Sequence, residues 1–160
     1  MDLLERAVAG KPESSEAHNH HGCALLSRAR MTEAEDAFRK SADLNPNYAE
    51  AYFNLGALLQ VTGHEEKAAK ALGHAVRLAP EQVTWRPKLA EALKDIGQLD
   101  RADALLINTV SDGGDLFDAY FLRASVQELL GRGTLARRHL HRCIIAAPER
   151  AEPHNNAALI

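Results

Sequence analysis

The stretch from Ala49 to Gln82, AEAYFNLGALLQVTGHEEKAAKALGHAVRLAPEQ, decides how this chain folds. Tyr52, Leu55 and Leu59 follow one another at helical spacing until Gly63 interrupts the pattern. Apolar residues then resume the same spacing, and a proline near the end of the stretch stops the second run. The stretch therefore predicts two antiparallel helices joined by a tight turn.

The pattern of this stretch recurs along the whole chain. Pro12, Pro46 and Pro80 are equally spaced, and Pro148 follows after two further steps of the same length. Because a helix pair this small cannot bury its own apolar face, neighbouring pairs must stack into a continuous core. Four more series keep the same step of 34: Ala34, Ala68, Ala102 and Ala136; Leu4, Phe38, Leu72, Leu106 and Leu140; Gly63, Gly97 and Gly131, with Ala29 in front; and the small residues Ala7, Ser41, Ala75, Thr109 and Cys143.

The second repeat carries a motif of fixed spacing, Tyr52-x2-Leu55-Gly56-x2-Leu59, Ala68-x3-Leu72 and Pro80. This motif resembles the tetratricopeptide repeat, and the resemblance covers the full chain. It implies an all-α fold, in which antiparallel helix pairs stack into a right-handed superhelical solenoid. Alanine at the Ala68 position lets the paired helices approach closely, and the Leu72 position fills the space beside them.

The constant step predicts one array over residues 1–160. Its ends match incomplete repeats, and Leu159 and Ile160 are apolar where an array end needs a polar cap. We expect either that the chain is a piece of a longer protein, which we favour, or that another copy covers its ends. The predicted boundaries are 1–14 for a second helix alone, 15–48, 49–82, 83–116 and 117–150 for full repeats, and 151–160 for the start of another repeat.

Three departures from the pattern carry structural expectations. Pro87 falls early in the third repeat, so we expect Thr84 to cap a helix that starts slightly late. Residues 113–114, both glycine, replace a proline and make that junction a hinge candidate. Arg123 and Gln127 stand where the second repeat has leucines. We expect the first helix of the fourth repeat to pack less well or to rotate about its axis.

Composition indicates where the protein is located and which class of partner it binds. The chain is 46% hydrophobic and 26% charged with a net charge of −3, which gives no basic excess to suggest a nucleic acid partner. No apolar run reaches the ~18–20 residues that cross a membrane, and the first residues lack a signal pattern. We therefore expect a cytoplasmic protein, with Cys23 and Cys143 as reduced thiols.

The sequence HNHHGC, residues 18–23, raises the question of a metal site. His18 and His21 occupy the positions of Tyr52 and Leu55, so we interpret them as packing residues. His20 and Cys23 point the other way and could share a metal, but a zinc site needs four ligands, or three and a water. The pattern favours a regular repeat, and we expect no metal and no cofactor.

No group of serine, cysteine, histidine or carboxylate residues in the sequence resembles a catalytic set, so we expect no enzyme active site. The fourth repeat has a local basic character. We interpret its arginines as a solvated helix face, with docking of an acidic partner as the alternative. These arginines are Arg132, Arg137, Arg138, Arg142 and Arg150.

The resemblance implies that the first helices of the repeats line a concave groove that binds extended peptides. Asn54 and Lys88 supply only part of the carboxylate clamp of chaperone-binding relatives, so that specificity is doubtful. Asn54 and Asn156 form a partial asparagine ladder, like the ladder along the groove of O-linked N-acetylglucosamine transferase. The aromatic residues either anchor a peptide or cover seams between repeats. The candidate groove residues are Asn19, His20, Cys23, Phe53, Asn54, Lys88, Glu91, Phe121, Leu122 and Ser125.

These observations favour a protein-interaction scaffold that holds an extended peptide or a partner protein in its groove. The leading alternative is the substrate-recruiting array of a larger enzyme, such as a glycosyltransferase or a sulfotransferase. A third possibility is self-association, in which copies assemble end to end through the apolar array ends.

Overall fold

A computed structural model describes residues 12–146, which form eight α-helices, one short 3-10 helix and no β-strand. This confirms the predicted all-α fold class. The predictions made for residues 1–11 and 147–160, including Asn156, Leu159 and Ile160, lie outside the described residues. The helices are α1 (Ser15–Leu26), α2 (Met31–Leu44), α3 (Ala49–Val61), α4 (Glu65–Leu78), α5 (Arg86–Asp95), α6 (Leu99–Ser111), α7 (Leu116–Leu129) and α8 (Gly133–Ala146).

The chain divides into two compact units after Pro80, with α1–α4 in unit 1 and α5–α8 in unit 2. The division does not fall at residues 113–114, where the sequence suggested a hinge. Gly114 is needed there for close packing. A Cβ at Gly114 would lie 2.5 Å from Thr109 Cγ2 and 2.9 Å from Val83 Cγ1.

In unit 1, each helix pair meets where a glycine faces a large side chain. A Cβ on Gly22 would lie 2.6 Å from the Phe38 ring, and a Cβ on Gly56 would lie 2.6 Å from Leu72 Cγ. Phe38 and Leu72 are fully buried, and so is Ala68. The close approach expected from the alanine and leucine series is confirmed, and the contact leaves no room for a side chain at either glycine.

The turns inside the helix pairs require the left-handed backbone conformation. Gly63, Gly97 and Gly131 have φ angles of 75, 73 and 71°. Ala29 takes the same conformation at the first turn, with φ of 58°. Because its Cβ crowds the carbonyl in this region, the alanine costs about 1–2 kcal/mol that glycine avoids.

The position of Ser41 carries more than a small side chain. The Ser15 and Ser41 hydroxyls lie 3.0 Å apart, and each donates to the other's backbone carbonyl, at 2.9 and 2.7 Å. Both serines are buried. At the equivalent positions the Thr109 hydroxyl donates to a carbonyl of its own helix, and Cys143 Sγ lies 3.6 Å from the Phe117 carbonyl.

The third repeat starts late, as expected, but Thr84 does not cap it. Val83–Trp85 forms a 3-10 turn, and α5 then begins at Arg86 without a side-chain cap. Pro87 lies in the first turn of α5. Proline has no N–H to satisfy and its φ already suits a helix, so this start depends less on a capping hydroxyl.

In unit 2, an ion pair accommodates the arginine that replaces a leucine in α7. Arg123 Nε lies 2.7 Å from Asp103 Oδ1, and the two side chains are only 14% and 17% exposed. Two buried polar atoms of this unit, Gln127 Oε1 and His139 Nδ1, have no hydrogen-bond partner among the described residues. An unsatisfied buried polar group costs about 1–3 kcal/mol. The poorer packing expected of α7 stays a prediction.

We expect Gly56→Ala to destabilise unit 1. The added Cβ meets Leu72 at its branch point and its backbone nitrogen, which cannot simply swing away, so the overpacking should cost about 1–3 kcal/mol. Gly133→Ala is the matched control, because a Cβ there meets nothing within 4 Å. Chemical denaturation followed by circular dichroism measures both variants. Equal stabilities for the two would contradict the steric account.

We expect His139 to make the protein less stable in acid. Burial, and then the charge of Arg123, lowers the pKa of His139 from its usual 6.5 to about 4, although Asp103 opposes the shift. The unfolded chain therefore binds a proton before the folded chain does, and stability falls as the pH drops from 6.5 towards 4.

The variant His139→Leu should flatten this pH dependence, because it removes the titrating group. The fold should accept leucine there, since Leu105 occupies the equivalent position one repeat earlier. His141→Leu changes an exposed histidine of the same helix and is the control. Denaturation midpoints across this pH range measure the effect. An unchanged slope in His139→Leu would show that other groups carry the acid sensitivity.

Candidate functional site

The structure places the ten predicted groove residues on the first helices of the repeats, and each unit is described by itself. Unit 1 carries Asn19, His20 and Cys23 on α1 and Phe53 and Asn54 on α3. Unit 2 carries Lys88 and Glu91 on α5 and Phe121, Leu122 and Ser125 on α7.

Asn19 is not an exposed contact residue, contrary to the prediction. The residue is only 2% exposed, because it lies between α1 and the start of α3. Asn19 Oδ1 accepts a hydrogen bond of 2.9 Å from Asn54 Nδ2, and Asn19 Nδ2 donates to the Tyr48 hydroxyl at 3.4 Å. Asn19 therefore supports Asn54 instead of meeting a ligand.

A chain of hydrogen bonds fixes the orientation of the Asn54 side chain. The Tyr48 hydroxyl donates to Glu50 Oε2 at 2.7 Å, so it can only accept from Asn19. Asn19 must then present its NH₂ to Tyr48 and its oxygen to Asn54. This forces Asn54 to donate through Nδ2, which leaves Asn54 Oδ1 as an acceptor without a partner among the described residues.

Burial and the neighbouring Glu50 favour the neutral form of Tyr48. Desolvation is the largest cause, and the hydrogen bond to Glu50 and its negative charge add to it, raising the pKa of Tyr48 to about 12. The Tyr48 hydroxyl therefore keeps its proton at neutral pH and remains a donor to Glu50. The direction of the whole hydrogen-bond chain depends on this proton.

The remaining unit 1 candidates lie on α1 and α3 together with Asn54, and we call this set the asparagine surface: Asn54, Cys23, His20 and Phe53. Cys23 Sγ lies 3.7 Å from Asn54 Nδ2, and Cys23 and His20 are exposed, whereas Phe53 and Asn54 are half-buried. Although the residue as a whole is exposed, partial desolvation of the Cys23 thiol, followed by the charge of Glu50, raises its pKa. Within residues 12–146, no three histidine, cysteine, aspartate or glutamate residues gather in a way that could hold a metal ion.

In unit 2, some of the candidate side chains already contact other side chains of the same helix. Lys88 Nζ lies 3.0 Å from Glu91 Oε2 on the same helix, so the lysine charge is partly neutralised. Phe121 stacks on buried Phe117, with ring centroids 6.0 Å apart, and packs against the cluster that contains Cys143. These contacts lie within one repeat, so whether Phe121 anchors a peptide or covers a seam between repeats stays a prediction. Leu122 and Ser125 are half-buried.

Sequence reasoning missed Tyr48. It lies in the turn before α3, at a position where the other full repeats do not carry an aromatic residue. Comparison of repeats therefore gave no signal for it, and its role follows only from its contacts with Asn19 and Glu50. Across the part of the chain that the structure describes, no helix is both long enough and apolar enough to span a membrane.

Comparison with known proteins agrees with the repeat pattern. Two sequence models of the family described as tetratricopeptide repeat match residues 15–48 and 37–70. Cellulose synthase operon protein C of Komagataeibacter xylinus is 28% identical over 88 residues, or 54% of this chain. The match covers 7% of the length of that protein.

Solved structures share the fold. The crystal structure of MamA superposes with a TM-score of 0.84 and 20% identity, covering 93% of this chain and 87% of MamA. The structure of PilF from Pseudomonas aeruginosa gives a TM-score of 0.79 and 17% identity, covering 98% of this chain and 72% of PilF. At these identities the likeness shows the fold: an all-α array of antiparallel helix pairs.

We expect one of the three tyrosines to ionise near pH 12, and Tyr48→Phe to remove that transition. Because the folded state favours neutral Tyr48, its contribution to stability is present below pH 10 and is lost as the pH rises through 12. Ultraviolet titration measures the ionisation, with circular dichroism to follow folding. Tyr52→Phe is the control and should leave the transition in place. Its loss in the control instead would contradict the assignment.

Proposed function

Because this chain belongs to the tetratricopeptide-repeat family, we propose that it holds an extended segment of a partner protein along the first helices of its repeats. The family fold supports a protein-interaction scaffold in general. The proposal is more specific, since it assigns the contact to the concave groove and, in unit 1, to the asparagine surface.

The fixed orientation of Asn54 carries this proposal. An extended peptide has unpaired backbone N–H groups that need acceptors when they leave water. Asn54 Oδ1 is such an acceptor, and the contact with Asn19 holds it in place before any ligand arrives. A preoriented group loses less conformational entropy on binding than a free side chain. Phe53 on the same surface supplies apolar area for the side chains of the peptide.

We also propose that the chain performs no chemistry on what it binds. A cysteine nucleophile needs a lowered thiol pKa, whereas the pKa of Cys23 is raised. Lys88, a conceivable proton donor, is paired with Glu91. Binding by Asn54 and Phe53 needs neither residue as a reactive group. A cytoplasmic location remains a prediction.

A second candidate function is that of a substrate-recruiting array in a larger enzyme. The match to 7% of cellulose synthase operon protein C favours it, because a stretch similar to this chain occurs there inside a much longer protein. The intact mass of the natural gene product tests this candidate. A mass near 17.5 kDa supports the free scaffold, and a much larger mass supports the recruiting array.

Peptides selected on the wild-type protein from a random library test the groove. We expect Asn54→Ala to weaken their binding by about three- to tenfold, the effect of losing one hydrogen bond. Adding Phe121→Ala should weaken it further if the peptide reaches unit 2. Fluorescence anisotropy measures the affinities, and circular dichroism checks the helical content.

Asn47→Ala is the matched control, because Asn47 is an exposed asparagine in the turn before α3. It should bind the selected peptides like the wild type. Full-strength binding by both the Asn54→Ala and the Asn54→Ala/Phe121→Ala variants would show that the groove is the wrong surface.

A further inference from the structure

A second surface of unit 1 lies on another face of α3. Side chains of α2, α3 and α4 line a shallow cleft of about 380 Å³ that is open to solvent. Its floor is apolar, and its rim carries three cationic side chains and a histidine. Tyr52, Leu55, Leu59 and Ala71 form the floor, and Arg39, Lys67, Lys70 and His74 form the rim. Asn54 is not among the residues that line it.

The two lysines of the rim have no charged partner within the described residues. Lys67 and Lys70 are exposed, and neither has an ion pair or a side-chain hydrogen bond within the described residues. Arg39 pairs with Glu35 on its own helix at 2.6 Å but keeps 49% of its side chain exposed. The rim therefore presents more positive charge than the neighbouring acid neutralises.

His74 and Tyr52 fix one side of the cleft. Their ring centroids lie 4.3 Å apart, and the Arg77 guanidinium donates to His74 Nδ1 at 3.0 Å. Because the His74 ring is held between Tyr52 and Arg77, this wall is formed before any ligand is present. A preformed wall with an apolar floor is typical of a binding cleft, and the volume lies in the usual range of about 300–1,000 Å³.

Comparison of the repeats shows that charge distinguishes this cleft. A cleft of about 370 Å³ occupies the equivalent place in the first repeat, so the lysines, and not the cleft itself, set the second repeat apart. Lys67 and Lys70 correspond, one repeat earlier, to Glu33 and Asp36, which carry the opposite charge. Ala71 leaves the floor open, whereas larger residues occupy its position in the third and fourth repeats. Those residues are Leu105 and His139. Two lysines beside a small residue occur at these positions in the second repeat alone.

We propose that this cleft docks an acidic segment of a partner protein. The segment inserts one aliphatic or aromatic side chain against Leu55, Leu59 and Ala71, and its carboxylates lie beside Lys67 and Lys70. Charge complementarity at the rim selects acidic side chains, and the apolar floor requires a side chain to fill it. A nucleic acid would satisfy the lysines but leave the floor empty, so a peptide satisfies more of the surface.

A labelled peptide with a central Leu-Phe pair flanked by glutamates is the probe. We expect it to bind the wild type with an affinity that falls as salt rises. Lys67→Glu together with Lys70→Glu should weaken binding by about tenfold or more, because attraction becomes repulsion at two positions. Ala71→Leu should weaken it by about tenfold without a change of charge. Leu105 shows that the fold accepts leucine at this repeat position.

Controls separate this cleft from general electrostatics and from the groove. Arg137→Glu together with Arg138→Glu makes the same charge change on exposed residues of α8 and should change binding by no more than about twofold. Asn54→Ala should leave binding of this probe unchanged. A peptide with glutamines in place of the glutamates should bind at least about tenfold more weakly.

Four results would overturn the proposal: equal binding of the glutamine peptide, no effect of the lysine reversals, an equal loss in the arginine control, or unchanged binding in folded Ala71→Leu. If Ala71→Leu does not fold, the lysine reversals decide the test, since both lysines are exposed. Sedimentation adds a further outcome. Self-association of the wild type that the lysine reversals abolish would make the occupant a second copy, and would overturn the partner-protein assignment.

Discussion

The contact of a glycine in one helix with a large side chain in its partner is the constraint on which unit 1 depends. Gly22 meets Phe38 and Gly56 meets Leu72 at distances that exclude a Cβ. This contact fixes how far apart the paired helices lie and how each is rotated about its axis. The rotation in turn decides which residues of α3 face Asn19 and which face the cleft. Both proposed binding surfaces thus follow from one steric condition.

The helix pairs were predictable because their determinants are local and repeated. Left-handed turns need glycine at Gly63, Gly97 and Gly131, and buried contacts need small and large residues at fixed spacing. These requirements recur along the chain, with Ala29 in place of glycine at the first turn, so the sequence displays them several times. Where a feature occurs once, prediction was weaker. The 3-10 turn at Val83–Trp85 replaced the expected cap, and Gly114 proved to be a packing residue.

The candidate site was predictable as a face but not as a set of contacts. The repeat spacing placed Asn54 on the predicted groove face, yet it could not show that Asn19 is buried under it or that Tyr48 orients them both. Such details depend on which side chain donates each hydrogen bond and which accepts it. The proton on Tyr48 sets the direction of these hydrogen bonds. The same limit explains why the Arg123–Asp103 pair was not foreseen.

Helix α3 contributes to two surfaces at once, with Asn54 towards one and Leu55 and Leu59 towards the other. Segments bound on both sides would be separated by the width of a helix, about 10–12 Å. Two linked parts of one partner would then meet the second surface at an effective local concentration of about millimolar. Once one part of the partner is bound, binding of the other part depends little on the concentration of free partner. Weak individual contacts would suffice for long-lived assembly.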